Sequence, residues 1–490
     1  MYACARLVMI VMALTLAACQ MGDIDADLSQ DPLAEGSPPA QPGEQADTAP
    51  VEDGTPAPAT ACDAGTWTGS YNVSNQSDLD ALAGYTEVTG SIIIITDDIV
   101  HIPGLDCLVS VGGDLRIVDN RKLETVTGFE NLRAVGGALA IGGNRYLGSI
   151  GGFGELRSAG RLAFEENGRL LGPLVFVVDG FDKLRTVHGN LSFANNHFQI
   201  FGFDELELVE GSLVGSQGGG PEGKTIEIHG MRDLSTVGGI LFEGMGSVVL
   251  DGLVDLERVD GDVKIRDSGP VDTTALRDLS RINGDLIVDG FESAGTSILD
   301  FPDLEHIDGH FIVEDVGSLE LGSFSDLEFI GGDLRLHEAG ILQIVGFEEL
   351  EVIGGDLHLV DLPLQRLEGF NDLQRVDGSV RLKDLGSALT EIAAFDELES
   401  IDGDLELIDN ALVSLSAFDD LRSVGGSLTI DSNDALLSLN LPDLETLGGT
   451  SLVIRRNDLL STCAAEDLVD WLQASGFAGA VTINGNGPCQ

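Results

Sequence analysis

Some residues in this chain have the types and spacing that chemistry requires. Gly218-Gly219-Gly220-Pro221-Glu222-Gly223-Lys224-Thr225 has the glycine, lysine and threonine pattern of a phosphate-binding loop. Such a loop needs a helix to start at the lysine, so that free amides and the helix dipole meet the phosphates. Here Thr225-Ile226-Glu227-Ile228-His229 alternates apolar and polar residues as a strand does. The segment therefore reads as an insertion loop, and no nucleotide is expected. Glu305-His306-Ile307-Asp308-Gly309-His310 sets imidazoles beside carboxylates, but without the helical i, i+4 spacing that turns two ligands to one metal. These histidines are read as exposed polar residues. No Gly-x-Ser-x-Gly elbow occurs, and no serine, histidine and acid set stands out by spacing.

Carboxylates are the most abundant reactive groups, 82 Asp and Glu against 26 Lys and Arg, for a formal net charge of −56. An excess spread along the whole chain excludes nucleic acid and anionic surfaces as partners of its body, and leaves cations, basic proteins or plain solubility. One acid recurs before the leucine of a repeated phrase, as in Asp303, Asp326, Glu349 and Asp372, with further copies from Glu205 to Asp443. It either caps turn amides in a solvated stripe or forms a weak calcium stripe with those four as ligands. No other cofactor is expected.

The elements that carry these residues follow from a repeat of about 23 residues, a solenoid period. Gly332-Asp333-Leu334-Arg335-Leu336 returns as Gly355-Asp356-Leu357-His358-Leu359, Gly378-Ser379-Val380-Arg381-Leu382 and Gly403-Asp404-Leu405-Glu406-Leu407. Related copies run from Gly90 to Gly449, with one start assigned to Gly239, making about sixteen coils. The alternation predicts half-buried strands that stack as a parallel sheet. Phe129, Phe153, Phe181, Phe203, Phe347, Phe370, Phe395 and Phe418 recur once per coil and are expected to form an internal column. Asn120, Asn144, Asn167, Asn196, Asn410, Asn433 and Asn457 close coils, and their amides suit a ladder inside the turn. The coils between them carry Ser268, Phe291, Val316, Ala339, Leu362 and Leu385 there, predicting apolar packing at that corner. Short helices are expected after Ser74 and from Ala464 to Ser475, each laid over one open end of the stack.

Residues 1–18 carry Arg6 and the apolar run Leu7 to Leu16, the shape of an export signal rather than a membrane span. Leu16-Ala17-Ala18-Cys19 resembles a bacterial lipobox, which implies that Cys19 is lipidated, becomes the mature N-terminus and joins the chain to a lipid bilayer. Residues 19–61 are acidic and proline-rich without aromatic residues, Lys or Arg, and read as an extended tether. The remaining organisation is an N-terminal cap and first coil at 62–107, repeats at 108–455 and a C-terminal cap at 456–490. Gln20 after the lipobox points to the outer membrane or cell surface of a Gram-negative bacterium.

The opening Asn75-Gln76-Ser77-Asp78-Leu79-Asp80-Ala81-Leu82-Ala83-Gly84, followed by repeated Gly-x-Leu-x-Ile, Asn and Gly-Phe-x-x-Leu-x-x-Val phrases, resembles the receptor L domain over roughly Cys62 to Gln490. The resemblance implies a mainly β, right-handed parallel β-solenoid allied to leucine-rich repeats that binds through its outer face. It implies no receptor signalling, because neither a cysteine-rich spacer nor a kinase segment is present. Once Cys4 and Cys19 are assigned to the leader and the lipid, Cys62, Cys107, Cys463 and Cys489 remain, two near each end. Opposite ends of such a stack lie far beyond disulfide reach, so Cys62–Cys107 and Cys463–Cys489 are the expected bonds.

The expected role is non-catalytic: binding or adhesion to an unknown protein or glycan by a tethered lipoprotein. A structural envelope spacer is the alternative, and a carbohydrate-active β-helix enzyme the minor one. The expected partner patch is an outward apolar strip of Val214, Ile240, Phe242, Ile287 and Ile312, edged by the longer repeats that start at Gly160 and Gly211.

Overall fold

The computed structural model describes residues 62–168, 175–217, 223–291 and 295–489. Cys19, the leader, the tether and residues 218–222 of the glycine-rich segment lie outside them. Residues Thr60–Gln490 form one compact unit. It is a parallel β-solenoid of about sixteen turns with two short helices.

One turn shows how the repeat folds. Phe329–Ile330 forms a two-residue strand, Leu334–His337 the broad strand and Gln343–Ile344 a third. The chain returns through a turn closed by the Leu350 N–H donating to the Phe347 carbonyl. Each strand then pairs in parallel with its copy one turn later: Phe329 opposes Val352, Leu334 opposes Leu357, and Gln343 opposes Arg366. The first two strand rows belong to one sheet of 31 strands among the described residues, while the third row forms a ten-stranded sheet that breaks up towards the C-terminus. Alternation sends Leu334 and Leu336 inward, where they join Ile341, Ile344, Phe347, Leu350 and Ile353, all fully buried. Burying each such side chain contributes roughly 1.5–3 kcal/mol, so every turn carries its own share of the core.

The phenylalanine column is present. Rings stack from Phe129 to Phe203 with centroids 5.2, 5.2 and 4.8 Å apart, and again from Phe324 to Phe418 at 5.0, 4.9, 5.4 and 5.6 Å. These distances are close to the spacing of neighbouring strands, about 4.8 Å. Between the two stacks Met231, Leu253, Leu276 and Phe301, whose ring is tilted against Phe324, fill the column, and all four are buried.

The asparagines close the corners as expected. Asn144 Oδ1 accepts from the Asn120 backbone N–H at 3.0 Å, and its Nδ2 donates to the Ile117 carbonyl at 2.8 Å. Asn410, Asn433 and Asn457 repeat the pattern and Asn486 extends it. In the middle turns Val316, Ala339, Leu362 and Leu385 are buried at that corner, and Ser268 Oγ accepts from the Met245 amide. Apolar packing replaces the ladder from Val316 to Leu385, whereas Ser268 keeps a polar bond between turns.

Both helices stand in their turn where other turns place the third strand. Gln76–Leu82 is capped by the Asn75 side chain, which accepts from the Asp78 amide, and it buries Leu79 and Leu82. Thr462–Ala474 buries Ala465, Val469 and Leu472. A helix satisfies its own backbone, so it ends a strand row without leaving open hydrogen-bonding groups over the core. Disulfides join Cys62 to Cys107 and Cys463 to Cys489, with Cα–Cα distances of 5.3 and 5.1 Å. The first ties the segment before Gly65–Trp67 to the loop before Ser110–Val111, and the second ties the helix Thr462–Ala474 to the chain after Ala480–Asn484.

The register corrects the partner patch. Ile240 and Phe242 do not face out: they are 1% and 0% exposed and belong to the core, opposite Leu213 and Gly215. Three residues separate Val209 from Leu213, but only two separate Val237 from Ile240, so the phrase starts at Gly238 rather than Gly239. A shift of one residue exchanges the two faces of a strand. Leu241 takes the outward place, opposite Val214.

Candidate functional site: the outer face of the main sheet

The broad strands present three outward columns, each with one residue per turn. The first holds the residue after the phrase glycine: Asp262, Asp285, His310, Asp333, Asp356, Ser379 and Asp404. These side chains are not free surface charges. Asp333 Oδ1 accepts from the Asp356 amide at 2.9 Å, Asp356 Oδ1 from the Ser379 amide at 2.7 Å, and Ser379 Oγ from the Asp404 amide at 3.1 Å. His310 joins by the lone pair of Nδ1, which accepts from the Asp333 amide at 2.9 Å. The result is a staircase in which each short side chain satisfies the corner amide of the next turn. The preceding glycine makes room for it, since a Cβ on Gly355 would lie 2.3 Å from Asp333 Oδ1 and 2.7 Å from the Gly332 backbone. Alternation shows that these residues point outward. Their common trait, an acceptor on a short side chain, was the available sign of the staircase.

The second column runs Val214, Leu241, Lys264, Ile287, Ile312, Arg335, His358, Arg381 and Glu406, each opposite the next in the parallel register. Of the expected patch, Val214, Ile287 and Ile312 do lie here, outside the core cluster. Val214 and Ile287 are nonetheless only 5% and 8% exposed. The basic members are held by flanking acids: Lys264 by Asp262 and Asp285, Arg335 by Asp333 and Glu314, Arg381 by Glu406. Burial pushes Asp262 up, but the Lys264 ammonium and the Asp285 amide outweigh it and hold the carboxyl below its usual range. Burial, aided by the charges of Arg335 and Arg381, outweighs the nearby acids and pushes His358 down. A neutral imidazole thus sits between two guanidinium-bearing turns.

The third column holds Asp289, Glu314, His337, Val360, Lys383, Ile408 and Asp431, the last five at the ends of their strands. Desolvation pushes Asp289 up. Just beyond, Asp315, Glu338, Asp361, Asp384 and Asp409 turn the chain with φ between 47° and 55°. Asp tolerates this left-handed geometry better than most side chains. Its recurrence after the strand phrase was legible in the sequence, but its stacking into an acidic edge along the sheet was not.

The other predicted positions lie elsewhere. Asp303, Asp326, Glu349 and Asp372 are exposed on the turns before the two-residue strands, where backbone carbonyls bind the amides. They are absent from the metal-ligating groups that converge within 4.8 Å among the described residues, namely His337, Glu338 and Asp361, and Cys463, Glu466 and Cys489. His306 packs near Phe329 while His310 serves the staircase, so the two share no site. Thr225–Ile228 is a strand of the ten-stranded sheet, as its alternation requires.

The face as a whole is finely mixed in charge, with an apolar stretch, of which Val214 and Ile287 are nearly buried, passing into a basic one along a single ridge. Such a surface can hold an extended ligand by shape and hydrogen bonding. Comparisons with characterised proteins and with solved structures find no match. The likeness read over Cys62 to Gln490 is found by a family model over the last turns and the C-terminal helix: the receptor L domain matches residues 351–473.

Proposed function

We propose that this protein is a non-catalytic binding or adhesion lipoprotein that takes a protein or glycan ligand on the outer face of its main sheet. The observation that carries the reading is the second column, in which Ile287 and Ile312 lead directly into Arg335, His358 and Arg381 at one residue per turn. The receptor L domain match over 351–473 supports binding rather than catalysis and overlaps the basic end of this ridge. Lipidation at Cys19 and an extended tether would hold the face away from an outer membrane. The acidic surface would keep it soluble there.

One comparison tests both halves. Wild type, Cys19→Ala and an Ile312→Asp/Arg381→Glu double variant are expressed in a Gram-negative host with labelled fatty acid, and the purified chains are applied to glycan and envelope-protein arrays. The expected outcome is label in all but Cys19→Ala, and a saturable ligand that the double variant binds at least tenfold more weakly while its thermal midpoint stays within a few degrees. Equal labelling of Cys19→Ala overturns the anchor. A wild type without any saturable ligand favours the spacer.

A further inference from the structure

We infer that His337, Glu338 and Asp361 form a divalent transition-metal site on the acidic edge of the main sheet. His337 closes the strand Leu334–His337, Glu338 is the next residue, and Asp361 is the equivalent of Glu338 one turn later. Their ligating atoms converge within 4.8 Å. His337 Nε2 lies 3.7 Å from Glu338 Oε1 and 3.5 Å from Asp361 Oδ2. Both distances exceed the 2.7–3.2 Å of a hydrogen bond and are those of loose ion pairs when the imidazole is protonated. They lie near the separation of about 3.3 Å that ligands have around a tetrahedral ion with bonds of about 2.0–2.1 Å. One imidazole nitrogen and two carboxylate oxygens are a donor set for Zn2+, Co2+ or Ni2+ rather than for calcium, which prefers oxygen alone. All three side chains are part exposed, leaving water or a ligand group room to complete the coordination.

The site answers a need of the fold. Glu338 and Asp361 belong to stacked turns in a run of like charges with Asp315 and Asp384, and a cation between them turns repulsion into a cross-link between turns. The charge of −56 raises the local concentration of any cation.

The test is titration of the full chain, stripped with chelator and with its disulfides intact, using Co2+ and then Zn2+. Wild type should bind one Co2+ with an intense visible absorption that Zn2+ displaces, and Zn2+ should raise its thermal midpoint. His337→Ala and Glu338→Gln should each weaken the ion at least tenfold and lose the absorption, whereas Asp384→Asn, one turn away, should keep it. With Cys463 and Cys489 joined to each other, their sulfurs offer no competing thiolate. Identical titrations of wild type and His337→Ala, or a wild type without saturable binding at millimolar Co2+, would overturn the inference.

Discussion

Single side chains here do their work by satisfying backbone groups between turns. Asn144 is the clearest case, because its amide serves four buried partners: the Asn120 N–H and Nδ2, the Ile117 carbonyl and Asn167 Oδ1. Its own side chain is fully buried, so no solvent replaces what it provides. Each buried group left without a partner costs about 1–3 kcal/mol. Asn144→Ala should therefore destabilise its corner by about 3 kcal/mol or more. In a solenoid, stability is a sum over turns and their interfaces, so the loss should be local. Amide hydrogen exchange should accelerate at residues 118–121 and 142–145 while the turns around Leu357 stay protected. Unchanged exchange at these corners would show that the ladder contributes little.

At the scale of the element, the strand Thr236–Glu243 shows how a repeat absorbs an irregularity. Gly215 stands where other strands place an inward Ile, Leu or Phe, and a Cβ there would lie 2.5 Å from the Phe242 ring of the next turn. The small residue in one turn and the large one in the next conserve core volume, as close packing demands. Phe242→Ala should then cost about 3–5 kcal/mol, the range for a buried aromatic. Leu241→Asp, on the opposite side of the same strand, should cost less than about 1 kcal/mol. Denaturant unfolding of the two variants decides the register, and the reverse ranking would return Phe242 to the surface.

For the whole molecule the governing quantity is charge. Carboxylates stacked turn upon turn repel one another, and Asp289 and Asp182 are held up, foremost by burial. An acid whose folded value is raised weakens the fold while ionised, and that penalty disappears as pH falls through the raised value. The opposite case is Asp431, 5% exposed between Arg455 and Arg456, where their hydrogen bonds outweigh burial and hold the carboxyl down. A depressed acid contributes stability above its unfolded value of about 3.9, and this is lost as pH falls through the folded one. The thermal midpoint should thus rise from pH 7 towards pH 5, reach a maximum, and fall below about pH 4, with unfolding beginning at the C-terminal turns that Asp431 ties together. Added salt should raise the midpoint at pH 7 by screening the repulsion, and should do much less at pH 5. A midpoint that is flat from pH 7 to 5 and indifferent to salt would mean that the stacked acids are already compensated.

The sequence alone determined what depends on period and alternation. The coil length, the phenylalanine and asparagine columns, the two end helices and the pairing of Cys62 with Cys107 and Cys463 with Cys489 were all legible, because each turn meets only its neighbours and a local pattern therefore dictates the global stack. What it left open were properties of phase and of contact between turns. The adjacent glycines Gly238 and Gly239 allowed either face of one strand to be the buried one, and only pairing against Leu213 and Val263 decided it. Asp333 and Asp356 stand at outward positions of the strand phrase, but only the structure pairs them with the corner amides one turn on. Asp303, Asp326, Glu349 and Asp372 recurred with equal regularity yet stand apart in solvent, whereas His337, Glu338 and Asp361 converge. Recurrence places like residues in one column, but whether their atoms meet depends on backbone dihedrals and side-chain directions that only the tertiary structure supplies.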